Sequence, residues 1–272
     1  MNPEAGRSYP GAFVGIMLLL GSIVIGITLL GLGVITAAEL ADPGHFLAVA
    51  FDPAVASALW ITFSAATVAV LLLGLVGTSL AYVLARSRNR FAGIAESLVD
   101  LPLVLPHTVA GLLVYLIFFS RGPIGSPAAG IGLLFEDAFP GIVAAMFFVA
   151  SPFYINSVRE GFEKVPPHLE NVARTLGASP LQVFLHVTLP LSTRQIASGA
   201  ALAWGRAVGE FAAVVIIAYF PMVISTLIYS RFTTGGLAEA RSIAFVMILL
   251  CLCGFFTYRA LIRFGGKRHD RV

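Results

Sequence analysis

Six apolar runs, each long enough to cross a lipid bilayer as one helix, constrain the fold of this chain more than any other feature. They cover residues of about 11–36, 56–85, 97–119, 139–158, 196–219 and 241–264. A transmembrane helix needs about 20 apolar residues, and only a helix or a closed barrel satisfies its backbone polar groups inside hydrocarbon. Only 11% of the residues are charged, against about 25% in soluble domains. The sequence therefore predicts an all-α integral membrane protein with about six transmembrane helices in a single domain, 1–272.

The first apolar run has two interpretations. Ala37 and Ala38 are small enough for a signal-peptidase site, which would make the run a cleaved signal peptide. Its apolar core is longer than the ~7–15 residues of a typical signal peptide, and Arg7 is the only basic residue before it. We therefore expect a retained membrane anchor.

The basic residues are distributed unevenly between the two sides of the predicted membrane. Loops rich in Lys and Arg remain in the cytoplasm. We therefore expect a multi-pass protein of the cell membrane with both termini cytoplasmic. Such loops also account for the net charge of +3, so no nucleic-acid partner is expected. In this topology Arg121, Arg231 and Arg241 lie outside, and the inside residues are Arg7, Arg86, Arg88, Arg90, Arg159, Lys164, Arg174, Arg194, Arg259, Arg263, Lys267, Arg268 and Arg271.

The segment 159–195 is a polar interruption between the fourth and fifth runs. Its composition predicts one helix over 168–176, ended by Gly177 in the left-handed conformation. A second helix is expected to begin after the N-cap Ser179 and to stop at Pro190. A plain connector between two helices takes about two to eight residues. The much greater length of this loop indicates a function beyond connection.

The spacing in this loop resembles the EAA loop of the permease subunits of ABC importers. In that family a glycine precedes the proline of a terminal Leu-Pro by thirteen positions, as Gly177 precedes Pro190. The family's glutamate lies six residues before the glycine, where this chain has Asn171, with Glu170 one residue earlier. The resemblance implies a coupling loop that contacts an ATPase, with candidate residues Glu170, Asn171, Ala173, Arg174, Gly177 and Pro190.

Longer segments narrow the resemblance to molybdate and tungstate permeases, the relatives of the sulfate permeases. They are "DLPLVLPHTVAGLLVYL" (100–116), "SPFYINSVREGFEKV" (151–165), "NVARTLGASPLQVF" (171–184) and "WGRAVGEFAAVVIIAYFPM" (204–222). This family implies the fold of a type I ABC importer permease and the import of molybdate or tungstate. It also implies a second copy of the chain, two ATP-binding ABC ATPase subunits and an extracytoplasmic molybdate/tungstate-binding protein, all working within membrane lipid.

The chain lacks the G-x-x-x-x-G-K-[ST] pattern of a phosphate-binding loop. ATP and Mg are therefore expected on a partner ATPase, and no cofactor or metal site is expected in this chain. The predicted helix 168–176 suits docking in a groove of such a partner, because Glu170 and Arg174 flank an apolar stripe. That stripe consists of Leu169, Val172, Ala173 and Leu176.

Three ionisable residues fall in or near the predicted spans, where an unpaired charge is costly. Arg206 and Glu210 lie four apart, so they either neutralise each other or line a translocation path in which Arg206 attracts an anion. Asp100 is either interfacial or part of that path. Pro106 interrupts the third run and either distorts one helix or opens backbone near a gate. His107 follows as a packed polar residue or a ligand.

Other functions fit the sequence less well. A permease for sulfate or another oxyanion is the first alternative, and an ion-coupled secondary transporter is the second. A secondary transporter needs no docking loop of this spacing, and the chain shows no inverted repeat. The serines and histidines form no hydrolase or H-E-x-x-H pattern, so we expect no enzyme activity.

Overall fold

A computed structural model describes residues 11–87 and 89–266, with side chains except those of residue 12 and residues 255–266. Arg7, Arg88, Lys267, Arg268 and Arg271, used above for topology, lie outside the described residues, as do the side chains of Arg259 and Arg263. The described chain is helical and contains no strand. Its helices are α1 Gly11–Ala41, α2 Pro43–Ala50, α3 Pro53–Arg86, α4 Arg90–Val104, α5 His107–Phe118, α6 Gly125–Ala129, α7 Phe139–Glu163, α8 Pro167–Thr175, α9 Pro180–Val183, a π-helix Phe184–Thr188, α10 Leu189–Leu191, α11 Thr193–Val208, α12 Ala212–Ile217, α13 Ile224–Gly235 and α14 Leu237–Gly266.

Four helices of the described chain are long and apolar enough to cross a membrane, and α4 with α5 makes a fifth span if the two count as one. The interruption expected at Pro106 in the run 97–119 is present, and α4 and α5 meet there at an angle of 118°. Leu105 adopts an extended conformation at the break, as expected for a residue before a proline. The bend therefore follows directly from Pro106.

The run 196–219 was predicted as one span with no break, and this prediction is wrong. It divides into α11 and α12 around Gly209, Glu210 and Phe211. The carboxylate of Glu210 accepts the backbone N–H of Ala213 at 2.7 Å, as a helix-capping side chain does. Both interruptions fall in runs that were predicted as single spans, so two of the six apolar runs are broken helices.

One of the two compact units, Pro53–Ser230, is built around α3 and α7. Ala66 and Ala69 of α3 are fully buried, and small side chains of this kind allow helices to approach closely. A Cβ atom at Gly77 would lie 3.1 Å from the ring of Tyr154. The hydroxyl groups of Tyr154 and Thr78 share a hydrogen bond of 2.8 Å. The closely packed helices α3 and α7 therefore position the functional residues described below.

The other unit comprises the described residues up to Asp52 and from Arg231 onward. Its α1 is exposed along the whole of its first two-thirds, where every described side chain from Phe13 to Leu30 is accessible. A buried Glu39 near the end of α1 accepts hydrogen bonds from Arg241 and from Ser242 at 2.7 Å. This polar junction attaches the end of α1 to α14.

Candidate functional site

The coupling loop between α7 and α11 contains the two predicted short helices. The first is α8, and Gly177 follows it with φ +90°, the left-handed conformation that the sequence predicted. Ser179 caps the second helix: its Oγ accepts the backbone N–H of Gln182 at 3.3 Å, and the Gln182 side chain accepts the backbone N–H of Ser179 at 2.8 Å. The hinge predicted around Gly177 and Ser179 is therefore present.

The prediction that Pro190 stops the second helix is wrong. The chain stays helical from α9 through the π-helix and α10, and this helical stretch ends at Ser192. Pro190 is the second residue of α10, which follows the π-helix without a break. The proline therefore marks a change of helix type and not a helix end.

Glu170 is the centre of a buried polar cluster on the inner side of α8. Its Oε1 accepts hydrogen bonds from Arg86 Nη2 at 2.6 Å, Arg86 Nε at 3.2 Å and Thr188 Oγ1 at 2.7 Å. Arg174 Nη2 lies 4.0 Å from the other carboxylate oxygen. Burial raises the pKa of Glu170, but the hydrogen bonds from Arg86 and Thr188 and the positive charges of Arg86 and Arg174 outweigh it, so the pKa lies below its usual value. Glu170 is held as an anion.

This inward orientation corrects the interpretation of Glu170 as an outer flank of the docking stripe. Glu170 is only 4% exposed, whereas Asn171, at the position where the EAA family has its glutamate, faces outward. Ala173 is partly buried and Arg174 is exposed. The structure thus assigns Glu170 to the attachment of α8 and leaves Asn171 and Arg174 on its outer side.

An aromatic cluster continues this attachment. Phe184, the first residue of the π-helix, packs edge-to-face against Tyr82 of α3 with ring centroids 4.9 Å apart. Phe162 of α7 lies 5.7 Å from Tyr82 and 6.0 Å from Phe184. Arg86 lies one turn after Tyr82, with its guanidinium 6.0 Å from the Tyr82 ring centroid. The inner face of the coupling loop is therefore fastened to the ends of α3 and α7.

The outer face of the coupling loop is apolar where a free loop would be polar. Leu169, Val172, Leu176 and Leu181 are exposed, and Leu176 and Leu181 are 83% and 66% accessible. Large apolar side chains exposed on a short, otherwise polar segment are typical of a contact surface for another molecule. We call these four residues the leucine patch.

The second candidate region joins the two helix breaks. Arg206 Nη2 lies 2.7 Å from Glu210 Oε2 and 2.5 Å from Nε2 of His107, the first residue of α5. The predicted pairing of Arg206 with Glu210 is present, with Glu210 almost fully buried. Since Arg206 can only donate, His107 accepts at Nε2. Arg206 thus connects the α4–α5 break, through the residue after Pro106, with the α11–α12 break.

Asp100 has a different partner from the other intramembrane candidates. Its Oδ1 accepts a hydrogen bond of 2.7 Å from Asn156 of α7. One turn away, Glu96 pairs with Arg159 of α7 at 2.9 Å. Asp100 therefore helps to hold α4 against α7, and the structure does not bring it to Arg206.

Two acidic residues outside the sequence-predicted site fix the other ends of the broken helices. Asp137, at φ +45°, accepts the backbone N–H of Tyr219 at 2.8 Å. Glu136 accepts the N–H of Ser120 at 2.9 Å, and this hydrogen bond lowers the pKa of the carboxyl. An acidic pair directly before the Phe139-Pro140 helix start was the available signal. Within the described residues, no three His, Cys, Asp or Glu side chains lie close enough to hold a metal ion.

Comparison with known proteins identifies the family. Residues 77–264 match the family described as the binding-protein-dependent transport system inner membrane component. The chain belongs to this family. Among curated relatives, a molybdate/tungstate transport system permease protein, WtpB of Pyrococcus furiosus, is 41% identical over 214 residues, covering 79% of this chain and 81% of the relative. The sulfate transport system permease protein CysT of Salmonella typhimurium is 34% identical and covers 80% of each chain.

Solved structures show the same fold. A bacterial ABC transporter involved in the import of alginate aligns with TM-score 0.68 at 17% identity, covering 91% of this chain and 96% of that one. An amino acid ABC transporter aligns with TM-score 0.56 at 19% identity, covering 82% and 98%. The predicted fold, a type I ABC importer permease, is therefore confirmed.

Proposed function

We propose that this chain is the transmembrane permease subunit of an ATP-driven importer of molybdate or tungstate. The substrate is supported by relatives described as molybdate/tungstate permeases, which are 37% to 41% identical over most of the chain. Sulfate is the second candidate, supported by the sulfate permeases at 32% to 34% identity. The lower identity ranks sulfate behind molybdate and tungstate.

The leucine patch is the observation that carries the ATP-driven mechanism. The coupling loop buries Glu170 on one side and exposes Leu176 and Leu181 on the other, so it is both fastened and available to a partner. We infer that each permease docks one ABC ATPase on this patch, and that two permease copies form the path between two ATPases. ATP and Mg bind to those ATPases, and a binding protein delivers the oxyanion from the outer side. This arrangement places the coupling loop and both termini in the cytoplasm.

The junction of the helix breaks is our candidate for part of the translocation path. Arg206 supplies a positive charge beside the first turn of α5, whose N–H groups lack intrahelical partners. Interrupted helices near charged groups are the usual substrate surroundings in transporters. In this proposal Arg206 and His107 face the passing oxyanion, and Glu210 keeps the net charge of the region near zero when it is empty.

Two measurements test the proposed function. Vesicles that contain the permease with its ATPase and binding protein are expected to take up labelled molybdate and tungstate only with ATP, and sulfate at least tenfold more slowly. Preferential uptake of sulfate would make sulfate the substrate in place of molybdate and tungstate. ATP-independent uptake would refute the ABC mechanism.

The docking patch is tested by Leu176→Asp, with Thr175→Asp as the matched control on the neighbouring exposed position. The charge at position 176 is expected to abolish copurification of the ATPase, because it enters an apolar interface, while the control retains it. Equal recovery of the ATPase with both variants would show that the leucine patch is not the docking surface.

A further inference from the structure

Arg86 lies at a junction that the function described above does not use. It is the last residue of α3, and its partner Glu170 lies 84 residues later in the chain, in the coupling loop. Two of its nitrogens donate to one carboxylate oxygen, at 2.6 and 3.2 Å. The glutamate side chain is 5% exposed, and the arginine side chain 23%. The contact is therefore a largely buried ion pair with two hydrogen bonds, and it connects α8 to the end of a membrane-spanning helix.

The same turn of α3 has a second contact with the loop. Tyr82 packs against Phe184 of the π-helix. Thr188, at the end of that π-helix, donates to the same oxygen of Glu170 that Arg86 contacts. Arg86 thus contacts α8 and Tyr82 contacts the π-helix. A shift of either part of the loop would break these contacts unless the end of α3 moved with it.

Farther along, α3 is joined to the helix that carries Arg206. Trp204 stacks on Phe63 with ring centroids 5.5 Å apart and a tilt of 8°. Its indole N–H donates to Thr67 Oγ1 at 3.2 Å. Thr67 and Arg86 are separated by about 28 Å along an unbroken helix, at ~1.5 Å per residue. One rigid helix therefore connects the coupling loop with α11, two residues before Arg206.

We propose that Arg86 is a positioning residue for energy coupling: through Glu170 it makes α3 follow the coupling loop, and α3 passes that movement to Trp204 and the helix break at Arg206. This proposal rests on the proposed function, because the movement originates in the ATPase docked on the leucine patch. Arg86 itself contacts neither the ATPase nor the oxyanion. Its effect is on how many ions are transported per ATP hydrolysed.

The test uses the full reconstituted complex and removes both charges together, since a lone Glu170 would remain buried without its partner. In Arg86→Leu with Glu170→Leu the contacts of Phe184 with Tyr82 and Phe162 still hold the loop, so ATPase recruitment and the ATP hydrolysis rate are expected to stay within twofold of wild type. The number of molybdate ions taken up per ATP is expected to fall at least fivefold. Arg86→Gln with Glu170→Gln, which keeps hydrogen-bonding groups, is expected to give an intermediate ratio.

The matched control is the pair Glu96 and Arg159, which joins α4 to α7 and not the loop to α3. Its double leucine variant is expected to keep the wild-type ratio. The proposal is overturned if the ratio stays within twofold of wild type in either Arg86/Glu170 double variant that assembles. It is equally overturned if neither assembles, because the pair then serves folding. If the wild-type permease recruits no ATPase, the proposed function fails instead.

Discussion

Two arginine–glutamate pairs of this permease have similar distances and burial, but they join residues at very different separations in the chain. Arg86–Glu170 and Arg206–Glu210 have N–O distances of 2.6 and 2.7 Å, with glutamate side chains 5% and 1% exposed. The first pair joins residues 84 apart and fastens a loop to a helix. The second joins residues four apart and bridges a break in one helix. Similar ion pairs thus serve two purposes. The first attaches a loop to a helix, and the second connects the two parts of a broken helix.

The second carboxylate oxygen separates the pairs further. In Glu210 the remaining oxygen accepts the backbone N–H of Ala213 and starts α12. In Glu170 the remaining oxygen faces the exposed Arg174 at 4.0 Å. Glu210 is therefore part of the helix framework, whereas Glu170 retains a weak second partner. Loss of the first arginine should cost more at Glu210 than at Glu170.

The largest expected effect comes from breaking the Arg206 pair. Arg206→Leu leaves Glu210 buried without its cation, and we expect a loss of about 3–5 kcal/mol. Arg206→Leu with Glu210→Leu should recover most of it, apart from the lost cap of α12. Thermal unfolding of the purified permease measures both. Arg86→Leu should destabilise less than Arg206→Leu, and equal losses would contradict the contrast drawn between the two pairs.

An intermediate effect is expected from Gly177→Val, which tests whether the Glu170 pair alone can orient α8. A β-branched residue at φ +90° carries about 1–3 kcal/mol of backbone strain. We expect the variant to insert and dimerise normally but to lose ATPase recruitment, because the leucine patch is tilted. Gly93→Ala, at an open position in α4, is the control and should behave as wild type. Normal recruitment by Gly177→Val would show that the pair suffices.

The smallest effect concerns pH. The pKa of Glu170 is below its ordinary value of 4.5, so its contribution is fully present above about pH 4.5 and is lost as the pH falls through the lowered value. Protease resistance of the coupling loop should therefore be constant from pH 8 to about pH 5 and decline under more acid conditions. In Glu170→Gln the Glu170-dependent part of this decline should disappear. An identical acid profile in both proteins would assign the decline to other carboxyls.

The two pairs also show where sequence reasoning succeeds. The spacing of Arg206 and Glu210 predicted their contact, because residues four apart on a helix are neighbours. No such rule connects Arg86 with Glu170, since their contact depends on where a loop folds back. The same limit explains the wrong prediction at Pro190: a π-helix is defined by hydrogen-bond register and not by composition. Gly177 was predictable because the left-handed conformation strongly favours one residue type.

The π-helix Phe184–Thr188 ends at the residue whose hydroxyl group reaches Glu170, so the number of residues before it matters. Deleting one residue from α9 would turn everything after it by about 100°, the rotation per residue of an α-helix. The hydroxyl of Thr188 would then point away from Glu170, and an insertion would turn it equally far in the other direction. The hydrogen bond from Thr188 to Glu170 therefore constrains the number of residues between Gly177 and Pro190. The loop should tolerate a new side chain at an exposed position such as Asn171 more readily than a change in its number of residues.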